Sequence, residues 1–354
     1  MPQVNQITLT TNSKKLSGKI WDTGKRSTFF FDTIRSKTST SLTTLFSTGQ
    51  SYDIGAPSQP KITEAQSMQA SSPTTYTPTN EENCAQIFQQ EVQVSRLADV
   101  TLDSHEGVMA KDGTLVNVSE YDIQTSLAIQ KMKTDIEYTL LRGAGNKTKG
   151  SRATYGLWNI VTTNVIDANS QQLTLEHIVD AQQSVRENTP YESDVFTWIC
   201  NANVYRAINR LIVASGDVSP VASRNEAGYN INRWLSPMGM NAFVIVSNYY
   251  MDDTMLLGIN LDVCSPVAVN LTRALSKEPN TTLIDGIFAI KDLDGKGGLH
   301  SELYTVMGLD HGAEKFHAKI TNIGATSPAT TRVSKRVSKG TIDSTILVDK
   351  LEAE

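Results

Sequence analysis

The chain has 354 residues, 39% of them hydrophobic and 19% charged, with a formal net charge of −5. That length suits about two ordinary domains with buried cores, and the composition is that of a folded protein and not of a disordered tail. No run reaches the ~18 apolar residues of a membrane helix, and the start at Met1 has neither the basic nor the apolar region of a secretion signal, so synthesis in a cytosol and no membrane partner are expected.

Residues 1–50 form an arm rich in Ser and Thr that carries +5, from seven Lys or Arg against Asp22 and Asp32. It also holds Ile20, Trp21, Phe29, Phe30, Phe31, Ile34, Leu42, Leu45 and Phe46. That is too much large apolar surface for a linker, so the arm should order only against something else. Residues 315–340 carry +6 with no acid, residues 341–354 carry −3, and the body between the arm and this second patch carries −13. Such basic ends read as solvated tails, as arms lying on the acidic body of a neighbouring copy, since opposite fields steer association, or as nucleic-acid contacts, for which only Phe316 and His317 lie near the second patch.

Residues 56–98 read as a long projecting hairpin, with Pro57, Pro60, Pro73 and Pro78 excluding helix and the run from Cys84 to Val94 as its return strand. Residues 119–142 read as one helix, capped by Ser119 with Asp122 three positions on. Ala128, Ile129, Met132, Ile136 and Leu140 give it one apolar stripe, and Arg142 and Gly143 close it. The glycines of 143–150 make a flexible basic loop whose spacing is not that of a phosphate-binding loop. A strand at 158–162, helices at 174–188 and 201–214, and strands at 195–199, 243–247 and 255–259 then describe an α+β domain. Strands at 283–291 and 300–307 form a hairpin across the glycine-rich 292–298, and the tail ends in a β-branched run at 345–348.

Candidate chemistry is sparse. Asp292, Asp294 and Gly295 mimic part of a calcium loop, but the further acid and the terminal Glu are missing, and a hairpin turn accounts for them better. The histidines, His105, His177, His300, His311 and His317, show no metal-ligand spacing, and His311 with His317 reads as a chance surface pair. Ser215-Gly216-Asp217 and Gly49-Gln50-Ser51 are not nucleophile elbows, and Asp252-Asp253 fits a polar turn. Cys84, Cys200 and Cys264 are odd in number and far apart among apolar or β-forming neighbours, so they read as reduced, buried thiols. No catalytic, cofactor-binding or metal residue is assigned, and no cofactor is expected.

Three strings carry a resemblance: Asn83-Cys84-Ala85-Gln86-Ile87-Phe88, Asp135-Ile136-Glu137 followed by Leu140-Leu141, and Gly156-Leu157-Trp158-Asn159-Ile160-Val161-Thr162-Thr163-Asn164. Across about 80–165 the chain resembles tailed-bacteriophage major capsid proteins of the Hong Kong 97-like type; downstream the likeness is one of element order. The resemblance implies an α+β capsid fold with an N-terminal arm (1–55), an extended loop (56–98), a peripheral domain (99–155) on a spine helix at 119–142, an axial domain (156–279), a return hairpin of the peripheral domain (280–325) and a C-terminal tail (326–354). It implies a structural protein and no enzyme, a virion location after assembly in a bacterial cytoplasm, and self-assembly into hexamers and pentamers of an icosahedral head. Portal, scaffolding or decoration proteins are implied partners, with packaged double-stranded DNA met only non-specifically. Some relatives cross-link a loop lysine to a neighbour's asparagine; Lys61 is the loop lysine here, and no cross-link is expected. Competing readings are a tail or decoration subunit, or a cytosolic enzyme using 150–280.

Overall fold

The computed structural model describes residues 28–52, 55, 57–59, 61–69, 75–96, 108–109, 115–116, 120–189, 195–215, 224–226, 229–235, 241–246, 250–271, 280–284, 288–293 and 298–324. In chain order the elements are α1 (Phe29–Ile34), β1 (Ser39–Ser41), β2 (Leu45–Tyr52), α2 (Glu64–Ser67), β3 (Pro78–Cys84), β4 (Gln86–Ser95), β5 (Val108–Met109), β6 (Leu115–Val116), α3 (Glu120–Arg142), β7 (Ala144–Asn146), β8 (Ala153–Tyr155) and α4 (Leu157–Ile160). There follow β9 (Val165–Asp167), α5 (Leu175–Asn188), β10 (Val195–Cys200), α6 (Ala202–Ser215), β11 (Arg224–Glu226), β12 (Tyr229–Leu235), β13 (Asn241–Val246), β14 (Leu256–Ile259), β15 (Ser265–Val269), β16 (Thr281–Ile284), β17 (Phe288–Leu293), β18 (Gly298–Asp310) and β19 (Ala318–Thr321).

Helix α3 runs about 35 Å at 1.5 Å per residue. Glu120 and Asp122 sit at its positive end and Arg142 at its negative end, as the helix dipole favours. Ala128, Met132, Ile136 and Leu140 recur every four residues on the buried face, with Leu141 beside them. That face packs on β4 and β18, where Phe88, Val92, Leu303 and Met307 point inward. Each large side chain buried there contributes roughly 1.5–3 kcal/mol.

Two sheets share the work. In the first, β4 lies along one edge of β18, while β17 and β15 pair with β18, extended by β16 and β1. The second has the order β11-β12-β13-β10-β14-β19-β9. Strand β10 serves two cores by alternation: Phe196, Trp198 and Cys200 join Ile178, Ala181 and Val204 of α5 and α6, whereas Ile199 joins the α3 core. Gly258 on β14 lies against the edge-on Phe196–Trp198 pair, and a Cβ there would stand 2.1 Å from the Phe196 ring.

The described part of the arm, from Thr28, orders on its own chain. Phe30 and Phe31 of α1 join the α3 core and Phe29 is buried as well; the Thr28 hydroxyl is donated to Asp32, and the helix has no side-chain cap of its own. Glu137 of α3 supplies it from 107 residues away, accepting Phe30 N–H at 3.0 Å and Phe31 N–H at 2.6 Å.

Several expected elements differ. The strand expected at 158–162 is the single helical turn α4, because Leu157 and Val161, four apart, both turn inward. The single return strand from Cys84 to Val94 is two strands meeting at Ala85, with β3 paired to β2 and β4 paired to β18 from Gln86↔Met307 to Ser95↔Gly298. Alternation marks a strand and leaves its partner open. The strand expected at 283–291 is β16 and β17, antiparallel with Ile284 opposite Phe288. The glycine loop 143–150 contains β7 and opens the β7–β8 hairpin, with Gly145 and Gly150 at φ of 66° and 94°. Asp252 and Asp253 do form a turn, binding Arg142 at 3.0 Å and the Asn203 amide at 3.0 Å. The expectations for Ser119, Asp294, Gly295, Gly216, Asp217, the first 27 residues and 325–354 fall outside the described residues.

Candidate functional site

Strands β2 and β3 leave the body as a hairpin, paired from Leu45↔Cys84 out to Tyr52↔Pro78. From its last pair outward the chain carries large apolar groups into solvent: Tyr52 is 58% exposed, Ile62 69%, Met68 79% and Tyr76 51%. Helix α2 carries its own capping box between Thr63 and Gln66, and none of its residues is buried. Lys61 is exposed there too.

The root of this hairpin is held by Asn83 and Cys84 of the first motif string. Asn83 is buried, and its amide makes four contacts: Nδ2 donates to Tyr155 O at 3.1 Å and Leu309 O at 2.8 Å, while Oδ1 accepts from Cys84 N at 2.8 Å and Tyr155 N at 3.0 Å. Thr154 Oγ1 donates to Cys84 O at 2.9 Å. Buried polar groups satisfied in this way add specificity, since any shift of register leaves several unpaired.

The Gly156 string ends α3. Asn159 Nδ2 donates to Arg142 O at 3.1 Å and Gly143 O at 2.7 Å, covering carbonyls that a helix C-terminus leaves open. Gly156 N–H donates to Gly143 O at 2.9 Å, and a Cβ on either glycine would stand 2.4 Å from a backbone atom of the facing segment. At the far end of the string, buried Asn164 donates to Lys315 O and His317 O and accepts from Ser184 Oγ and Asn188 Nδ2, tying α5 to the turn before β19.

His311 and His317 are not a surface pair: both are buried, because the turn at Glu314–Phe316 folds their segment inward. An irregularity of register between Ser47 and Gly49 turns Thr48 inward, and its hydroxyl meets His311 Nε2 at 3.2 Å. His317 Nε2 lies 2.8 Å from His311 O, and its Nδ1 accepts Asn260 N–H at 3.4 Å. Burial pushes the pKa of His311 down to about 3, with His317 adding to the shift, and that of His317 to about 4.

Glu81 accepts Glu314 N–H at 3.0 Å, and burial raises its pKa. Burial also opposes the Glu314 charge, but bonds from Thr162 and Thr163 outweigh it and lower that pKa. Glu137 is wholly buried, which pushes its pKa up to about 8 against the pull of the Phe31 and Phe30 N–H groups. Glu137 stands four residues before buried Leu141, and that helical phase is the signal that marks it as inward-facing.

Cys84, Cys200 and Cys264 are buried, and burial raises the pKa of each. Among the described residues, no group of three or more His, Cys, Asp or Glu could hold a metal ion, and no helix is long and apolar enough to cross a membrane.

The model of the SU10 major capsid protein family matches residues 3–324. No curated protein matches. Among solved structures, the chain is similar to the capsid asymmetric unit of cyanophage A-1(L), at 12% identity and TM-score 0.61, over 88% of this chain and 97% of that one. It is similar to the SrpI encapsulin of Synechococcus elongatus PCC 7942, at 13% identity and TM-score 0.55, over 89% and 96%. A Mycobacterium phage Che8 chain gives 12% and 0.51, over 87% and 96%. At these identities the likeness shows the fold, a Hong Kong 97-like shell fold, and the family match adds the role. The chain belongs to the SU10 major capsid protein family and is a major capsid subunit.

Proposed function

We propose that copies of this chain assemble as hexamers and pentamers into an icosahedral phage head that encloses double-stranded DNA, in a bacterial cytoplasm. The observation that carries this reading is the exposed apolar set Tyr52, Ile62, Met68 and Tyr76 beyond a hairpin whose root is pinned by buried, satisfied polar groups. An apolar tip that stays largely exposed on its own chain suits burial against a second copy.

In this reading residues 1–55 are the arm, 56–98 the extended loop, 99–155 and 280–325 the peripheral domain with α3 as its spine, 156–279 the axial domain and 326–354 the tail. The paired legs of the loop, 45–52 and 78–84, suggest that the loop begins within the arm as first bounded. The role is structural, without catalysis. Portal, scaffolding or decoration proteins are its virion partners, and the −13 body meets DNA without gripping its phosphates.

Negative-stain microscopy of the expressed chain tests the proposal. Closed shells, tubes or hexameric capsomers are expected; a stable monomer at micromolar concentration overturns it. A low-salt gel shift should show weak DNA binding, and tight binding would remove the DNA part.

A further inference from the structure

Beside the hairpin root lies a cleft of about 470 Å³ whose walls include Glu81, Glu82, Glu314, His311 and Lys147. Three carboxylates face one ammonium, with Lys147 Nζ 4.0 Å from Glu82. The His311 side chain is 3% exposed and its Nδ1 has no hydrogen-bond partner, the Glu81 carboxylate being 3.7 Å away, beyond bonding range. His311 Nδ1 is thus one buried, unpartnered polar atom at the cleft. Acidic walls of this kind call for a cation. A metal ion fits less well, since no set of three ligands is assembled among the described residues.

We propose that this cleft seats a Lys or Arg side chain from the basic segment 332–339 of the same chain. Two observations choose that occupant. Residues 325–340 carry Arg332, Lys335, Arg336 and Lys339 and no Asp or Glu, which complements the cleft. The described chain ends at Gly324, ten residues after Glu314 in the cleft wall, so the cleft lies at most about 35 Å from that end. The eleven to fifteen residues from Gly324 to Lys335 and Lys339 reach about 37–50 Å when extended, enough to return. The tail then braces the hairpin root of its own subunit, which is a role distinct from contact between subunits and does not depend on the shell reading.

Zero-length carbodiimide coupling of the full chain, prepared as a mixture of nitrogen-14 and nitrogen-15 copies and read by mass spectrometry, tests this. Amides from Glu81 or Glu82 to Lys335 or Lys339 within one isotopic chain are expected. Coupling only to Lys147, to N-terminal lysines or across isotopic chains overturns the proposal. A second measurement covers an arginine occupant: neutralising Glu81 and Glu82 to Gln, and the four basic residues to Gln, should shift the low-salt urea midpoint less in combination than the sum of the separate shifts. Additive shifts overturn it.

Discussion

The side chain of Asn83 pairs with the backbone of Tyr155 as one strand pairs with another, giving Nδ2 to the carbonyl at 3.1 Å and taking the N–H on Oδ1 at 3.0 Å. The same amide also holds Leu309 O at 2.8 Å, so three segments distant in sequence meet on one residue. Asn83→Leu should therefore strand several buried groups and cost about 2–5 kcal/mol, read as a lowered urea midpoint. Asn83→Asp should rescue little, because a carboxylate cannot donate to either carbonyl. Near-wild-type stability in both variants would contradict the pinning role.

Glu137 is expected to govern the docking of α1. Glu137→Ala removes the cap on Phe30 and Phe31 N–H, and amide exchange at those two positions should quicken at least tenfold. Glu137→Gln keeps one of the two acceptors and should retain part of the cap, with slower exchange than Glu137→Ala. The folded carboxyl, at about 8 against an ordinary 4.5, binds its proton more tightly than the unfolded one. Its contribution is complete below pH 4.5 and is lost as pH rises toward 8. Relative to the native chain, Glu137→Gln should gain up to about 1.4 kcal/mol per pH unit across that window, measured by urea unfolding at pH 5 and pH 8.

The buried histidines act in the opposite direction. Both have folded pKa values below the ordinary 6.5, about 3 for His311 and about 4 for His317. The unfolded chain thus takes up protons first, and stability should fall as pH drops from 6.5 toward 4. Each histidine contributes up to about 1.4 kcal/mol per pH unit. His311→Gln should flatten this acid limb, and an unchanged slope would show that His311 is not its source.

The glycine pair at the end of α3 allows a sharp contrast. Gly143→Ala or Gly156→Ala places a Cβ 2.4 Å from backbone and should cost several kcal/mol or yield insoluble protein. Gly150→Ala meets nothing within 4 Å and carries only the strain of φ +94°, about 1 kcal/mol. Soluble yield and thermal midpoint compare them directly.

The hairpin tip should separate folding from assembly. Ile62→Ser with Met68→Ser alters side chains already in water, so subunit stability should change by less than about 0.5 kcal/mol. If the proposed shell forms, the same variant should abolish or deform particles in negative stain. Normal particles would place the assembly contact elsewhere.

Much of the local structure is legible from residue order. The four-residue recurrence from Ala128 to Leu140 foretells α3, Thr174 foretells the start of α5, and the apolar run from Val195 foretells β10, because periodicity and capping act over one or two turns. The Asn83 and Asn164 strings could be recognised as signatures, but not what they do. Apart from the adjacent Cys84 N–H, the partners of Asn83 lie 72 to 226 residues away, and those of Asn164 up to 153 away.

What the sequence by itself determines here is the kind of chain: its α+β elements, its long helix, its buried thiols and its kinship with capsid proteins. Tertiary structure alone decides that the Phe29–Phe31 arm docks on Glu137, that Gln86–Ser95 leaves the hairpin to join β18, and that His311 and His317 are interior. The reason is physical. Periodicity states which face of an element is apolar, whereas strand partners, trans caps and buried histidines are chosen by which distant polar groups must be satisfied once those faces have closed.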